Sequence, residues 1–98
     1  MYTVESVIDL RAMGARIREK RRALRMTQAQ LAKRAGVSTA FVGQLERGEK
    51  PPSLDTAARL SLALCDSLDQ LVLGYTSRDD TLYLKIISVM QRHGIHFE

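Results

Sequence analysis

The sequence predicts an all-α fold: five short helices in one small domain, with an additional helix near the C-terminal end. Three observations carry this. Apolar residues recur three and four apart through most of the 98 residues, the pattern of helices that bury one face. Thr27, Ser38, Ser53 and Ser67 each stand just before one of these runs, where a side-chain oxygen can accept from the unpaired N–H groups of a first turn. Gly36, Gly48, Gly74 and Gly94 follow four of the runs, where a glycine can turn left-handed and stop a helix.

Residues 1–9 form a lead-in with two readings. Ser6 with Asp9 could cap a helix starting there, while Tyr2, Val4 and the Val7-Ile8 pair could make a short strand. An irregular approach to the first helix is the favoured reading. That helix is expected over 10–25, with Leu10, Met13, Ile17 and Leu24 on one side and Arg11, Arg18, Lys20, Arg22 and Arg25 opposite. Arg21 falls nearer the apolar stripe. A second helix is expected over 28–35, opened by Thr27 with Gln30 placed for a capping box and burying Leu31, Ala32 and Ala35. Val37 then lies in a turn, placed to plug the angle to a third helix over 39–47, which buries Val42 and Leu45. Phe41 is expected half-buried against the second helix. This leaves Thr39, Ala40, Gly43 and Gln44 facing out.

Pro51-Pro52 stiffens the next loop. Ser53 opens a fourth helix, with Asp55 in its first turn and Leu54, Ala57, Ala58, Leu60, Ala63 and Leu64 as core positions. A short fifth helix follows Ser67, with Gln70 completing a second capping box, and ends at about Leu73. Residues 75–80 read as a polar linker. Asp80 can cap a sixth helix from Thr81 to about His93. Its Leu82, Ile86, Val89 and Met90 line one side, and Leu84 and Ile87 widen the apolar surface.

Charge is distributed unevenly. Residues 11–50 hold eleven Lys or Arg against three Asp or Glu, a net +8, while residues 1–10 and 51–98 each carry −2. A concentrated positive field attracts phosphate backbones and speeds encounter with them. Lone Cys65 has no internal disulfide partner, and its apolar surroundings predict a buried, inert thiol. No apolar run approaches the ~20 residues of a membrane span. The N-terminus carries Glu5 and Asp9 rather than a basic signal start. A cytoplasmic location is therefore expected.

Residues 27–48, TQAQLAKRAGVSTAFVGQLERG, lay out two short helices joined by one tight turn, so that the second can enter a major groove. This stretch resembles the Cro/cI-type, or XRE, helix-turn-helix family, in which a TQ–LA–GVS–ERG pattern is characteristic. The resemblance covers roughly residues 10–74, with the motif itself at 27–47. It implies a five-helix Cro/cI-like (lambda repressor-like) DNA-binding domain, with residues 75–98 as a linker plus a C-terminal helix. It further implies base reading by Thr39, Ala40 and Gln44, and pairing of Arg21 with Glu46. By the residues themselves, Gln44 can bond adenine, Thr39 can bond a base or offer its methyl, and Ala40 can touch a thymine methyl. Gly43 would let the helix approach closely. Thr27, Gln28 and the first-turn N–H groups can meet a phosphate, as can Arg47, Lys50 and a spare N–H of Arg21. Glu49 places an acid where a base would help.

The expected partner is double-stranded DNA, gripped by a homodimer through Leu82, Ile86, Val89 and Met90. The opposing possibility is that the sixth helix folds onto its own chain. The expected function is a transcriptional regulator, acting as a repressor on a palindromic operator. The competing class is a protein-docking helix-turn-helix module, such as the antitoxin partner of a toxin. No cofactor or metal is expected, because His93 and His96 lack further ligands near them. No nucleophile–base pair or glycine-rich phosphate loop suggests an enzyme.

Overall fold

The computed structural model describes residues 7–74 and 80–94. It contains α1 (Leu10–Ala23), α2 (Gln28–Ala35), α3 (Thr39–Glu46), α4 (Leu54–Ala63), α5 (Leu68–Leu73) and α6 (Asp80–Arg92). No strand occurs among the described residues. The alternatives for residues 1–6, the linker at 75–79 and the tail at 95–98 lie outside them.

The chain makes its helices with the caps expected of it. Asp9 caps α1 itself, its carboxylate accepting from Arg11 N and Ala12 N at 3.1 Å each. It is extended (φ −94°, ψ 105°), so α1 begins after it. Thr27 and Gln30 form the reciprocal capping box on α2: Thr27 Oγ1 accepts from Gln30 N at 3.1 Å, and Gln30 Oε1 accepts from Thr27 N at 2.9 Å. Ser38, Ser53 and Ser67 each accept from the backbone N–H three residues on, at 3.1 Å. Only the Ser67 half of the box expected at α5 forms. At α6 the helix starts on Asp80 rather than one residue after it, and stops at Arg92.

The helix ends share one device. At α1, Met26 N donates to Arg21 O at 3.0 Å across a left-handed residue, Arg25 (φ +58°). At α4, Asp66 N donates to Ser61 O at 3.0 Å across Cys65 (φ +55°). Gly36 and Gly48 occupy the same position after α2 and α3. Helix α1 therefore stops at Ala23, two residues before the expected end. Leu24 leaves the inner stripe and is largely exposed.

Cys65 corrects the sequence reading in the same way. It is exposed, not buried, because the left-handed turn after α4 swings its side chain outward. A non-glycine residue there carries strain of roughly 1–2 kcal/mol. Cys65→Gly is therefore expected to raise stability by about 0.5–1 kcal/mol after glycine's own entropy cost, seen as a higher melting temperature. A lower melting temperature would show that the thiol makes contacts worth more than the strain.

One core joins α1 to α5, built on Met13, Ile17, Leu31, Val42, Leu45, Leu60, Leu64 and Leu71. Val37 and Phe41 pack against it half-buried, as the turn and helix spacing predict. Leu54 does not join it and is 78% exposed. It is the first residue of α4, its side chain tilts back toward the loop, and it lines an open apolar groove with Ile8, Leu10, Pro51 and Pro52. Helix α3 packs on α1 and α2, and α2 packs on α4. Arg16 ties α5 to α1: its Nε donates to Leu71 O and its Nη2 to Val72 O, both at 2.9 Å. No helix among the described residues is long and apolar enough to cross a membrane.

Candidate nucleic-acid interface

The exposed side of α3 begins directly after its serine cap. Thr39 and Ala40 are both exposed, and Gln44 is half-buried one turn later. The inner side of the helix is closed by Val42 and Leu45, both with no exposed surface. Three of the four residues expected to face outward therefore keep some open surface.

Gly43 does not. It is buried, and a Cβ built on it would lie 3.1 Å from Arg47 Nη1. The guanidinium folds back across one turn of α3 and covers the glycine. Helical spacing places Gly43 outward, but the side chain four residues later closes the notch that glycine leaves.

Arg47 is held there by Glu49. Its Nε donates to Glu49 Oε1 at 2.8 Å and its Nη2 to Oε2 at 3.2 Å. The two side chains are 60% and 51% exposed. Their hydrogen bonds and mutual attraction hold the Glu49 carboxyl below the usual carboxylate range and raise the guanidinium further. Lys50 is exposed beyond them.

At the start of α2, Thr27 is exposed and Gln28 is half-buried. Thr27 Oγ1 is occupied as an acceptor by the cap but retains its O–H as a donor. Gln28 Nε2 donates to Glu46 Oε1 at 3.2 Å, which turns the amide inward and fixes it. Its second amide proton and the backbone N–H groups of Gln28 and Ala29 are left to meet an anion, with the helix dipole in their favour.

Beneath this surface lies the ion pair the family resemblance implies. Arg21 Nε donates to Glu46 Oε2 at 2.7 Å and Nη2 to Oε1 at 3.0 Å, while Nη1 donates to Met26 O at 2.8 Å. The side chains are only 10% and 3% exposed. Hydrogen bonding to Glu46 raises the Arg21 guanidinium above its ordinary value, against the opposing effect of burial. Three N–H groups are thus spent inside the protein. Arg21 is a buried strut between α1 and α3, with two of its five N–H groups left beyond these bonds.

The residues of the surmised dimer element divide. Nothing is described of the Leu82 side chain. Ile86 and Met90 are half-buried, and Val89 is 7% exposed within its own chain. Val89 is therefore largely covered without a second copy, although it is not part of the core that joins α1 to α5.

Sequence reasoning did not single out Gly14 or Arg16, or the link from Gln28 to Glu46. A glycine inside a helical run is a signal of close backbone approach, so Gly14 could have been found. Arg16 and Gln28 act through contacts that no local spacing encodes.

Comparison with known proteins adds independent evidence. Residues 17–64 match the helix-turn-helix family model. The chain is 38% identical over 76 residues to repressor protein C2 of Salmonella phage P22, covering 78% of this chain and 35% of that protein. It is 31% identical over 70 residues to the ImmF control region 10 kDa protein of Bacillus phage phi105, covering 71% of this chain and 76% of the relative. The structure is similar to that of the P22 c2 repressor in complex with synthetic operator 9T, with a TM-score of 0.63 and 43% identity. That match covers 64% of this chain and 96% of the other. The chain spans about a third of the full P22 repressor, 35% of its length.

Proposed function

This chain belongs to the Cro/cI-type (XRE) helix-turn-helix family, and from that premise we propose that it is a sequence-specific DNA-binding transcriptional regulator. The reading is of a repressor that binds a palindromic operator as a homodimer and blocks access to the DNA it covers. Residues 10–74 are the DNA-binding unit, and α6 contributes to the dimer through Ile86 and Met90. The observation that carries the proposal is the open side of α3, which presents Thr39, Ala40 and Gln44 between two polar edges that we assign to phosphate binding. One edge is the first turn of α2 with Thr27 and Gln28. The other is Arg47 with Lys50. The P22 c2 repressor, similar in fold, is solved in complex with a synthetic operator, which supports DNA as the partner here.

Base reading by three short side chains gives a sparse direct code, so DNA shape contributes to site choice. Gln44 is the one of the three able to make a paired contact with a base edge.

The test is selection of bound sites from random DNA with the parent chain and with Gln44→Ala. The parent is expected to select a palindrome. The variant is expected to lose preference at one position per half-site, by about 1–3 kcal/mol of discrimination. An unchanged motif would remove Gln44 as a base reader. A single unrepeated half-site would remove the dimer. Affinity that falls steeply with added salt separates DNA binding from docking on another protein, since an apolar docking surface responds little to salt.

A further inference from the structure

The acid at Glu49 pairs with Arg47, a residue assigned above to phosphate binding. Its two carboxylate oxygens take Nε and Nη2 of Arg47 at 2.8 and 3.2 Å, the two-pronged arrangement by which a guanidinium grips phosphate. The carboxylate is not on a loose loop. Glu49 N donates to Gln44 O at 2.9 Å, and Gly48 at φ +71° makes the turn that this bond needs. Glu49 is thus anchored to α3 by its backbone. Arg47 is in turn seated over Gly43, where a Cβ would lie 3.1 Å from its Nη1 and press on the guanidinium.

The other two acids in the basic stretch 11–50 lie elsewhere. Glu46 is buried against Arg21, and Glu19 is on α1. Glu49 is therefore the acid of that stretch that the groove-facing edge of α3 presents to a duplex. Both partners of its pair are exposed to water, so the pair is weak and exchanges readily.

We infer that Glu49 is an intramolecular stand-in for a DNA phosphate, which occupies Arg47 in the free protein and lowers its affinity for DNA of arbitrary sequence. The inference rests on the DNA-binding reading and deepens it. On a random duplex, Arg47 must leave Glu49 to reach a phosphate, and Glu49 then stands close to the DNA as a like charge. The pair adds almost nothing to non-specific binding. On the operator, base contacts along α3 hold the helix in the groove and fix the exchange of partners. The outcome is a wider gap between specific and non-specific affinity than a free arginine would give.

The test compares the parent, Glu49→Gln, Arg47→Gln and the double variant on a random-sequence duplex and on the selected operator, each across a salt series. Glu49→Gln is expected to bind the random duplex roughly fivefold more tightly at low salt, with a slope of log affinity against log salt steeper by about 0.9, one extra phosphate neutralised. On the operator the gain is smaller, so the specificity ratio falls. Adding Arg47→Gln is expected to abolish the gain. A gain that persists without Arg47 would make Glu49 a plain repulsive charge and overturn the inference. So would a Glu49→Gln chain that matches the parent on both duplexes. A parent that binds neither duplex removes the DNA-binding reading itself, and the inference with it. Both side chains are exposed, so each variant is expected to keep the fold, which circular dichroism checks.

Discussion

Glu46→Ala is expected to cost the protein about 3–5 kcal/mol of folding stability, the penalty for leaving one member of a buried ion pair without its partner. Domains of this size are stable by only about 5–15 kcal/mol, so the variant should lose a large share of its stability. The loss begins at the Arg21 guanidinium, which keeps only its bond to Met26 O. A guanidinium cannot shed its proton at any accessible pH, so the stranded charge persists and the deficit does not relax on titration. Among the described residues, no buried side-chain polar atom lacks a partner in the native chain. The variant creates such an orphan in a side chain that is 10% exposed.

The same substitution reaches the DNA-facing surface. Glu46 also accepts from Gln28 Nε2, so one carboxylate joins α1, the first turn of α2 and the end of α3. Stability and orientation can be separated with the double variant Arg21→Met, Glu46→Met. Replacing a whole buried pair by apolar side chains is often neutral or stabilising, whereas the amide of Gln28 still loses its tether. Urea unfolding should therefore show recovery in the double variant, while affinity for the operator stays reduced. A single-variant loss under about 1 kcal/mol would mean the pair behaves as a surface pair does, and the three-helix junction would lose its role.

What the sequence makes legible follows from how far apart the interacting groups lie. The capping of α2, α3, α4 and α5 is written within four residues, so Thr27, Ser38, Ser53 and Ser67 announce those helices correctly. The inner faces of α2 and α3 follow from spacing alone. The endings of α1 and α4 do not. Arg25 and Cys65 take left-handed conformations that glycine usually fills, and the bonds that close those turns outweigh the local preference. Helical spacing places Leu54 in the interior and apolar surroundings place Cys65 there, yet each sits at a helix terminus, where the side-chain direction departs from the helical period. Gly43 fails for a different reason: its surface is taken by Arg47, a residue of its own helix, steered by Glu49. The Arg21–Glu46 pair spans 25 positions and was legible only through family resemblance.

Gly14→Ala is expected to be the other severe change, although alanine is the better helix former. Gly14 is buried in the middle of α1, and a Cβ placed there would lie 2.6 Å from Glu46 O and 2.9 Å from Glu46 C, and would also meet Leu45 O. These are backbone atoms at the end of α3, which no rotamer change can move aside. In an unconstrained helix the substitution would gain about 1 kcal/mol. Here α1 must instead withdraw from α3, and overpacking of this kind costs about 1–3 kcal/mol or more. Withdrawal also stretches the 2.7 Å bond between Arg21 and Glu46, because it spans the same two helices. A net loss of about 2 kcal/mol or more is therefore expected in urea unfolding. Coupling is the decisive measurement. Since Gly14 and the ion pair share one helix contact, Gly14→Ala combined with Arg21→Met, Glu46→Met should cost less than the sum of the separate changes. Strict additivity, or a Gly14→Ala chain as stable as the parent, would show that α1 and α3 can part at this point without disturbing the junction that orients the exposed side of α3.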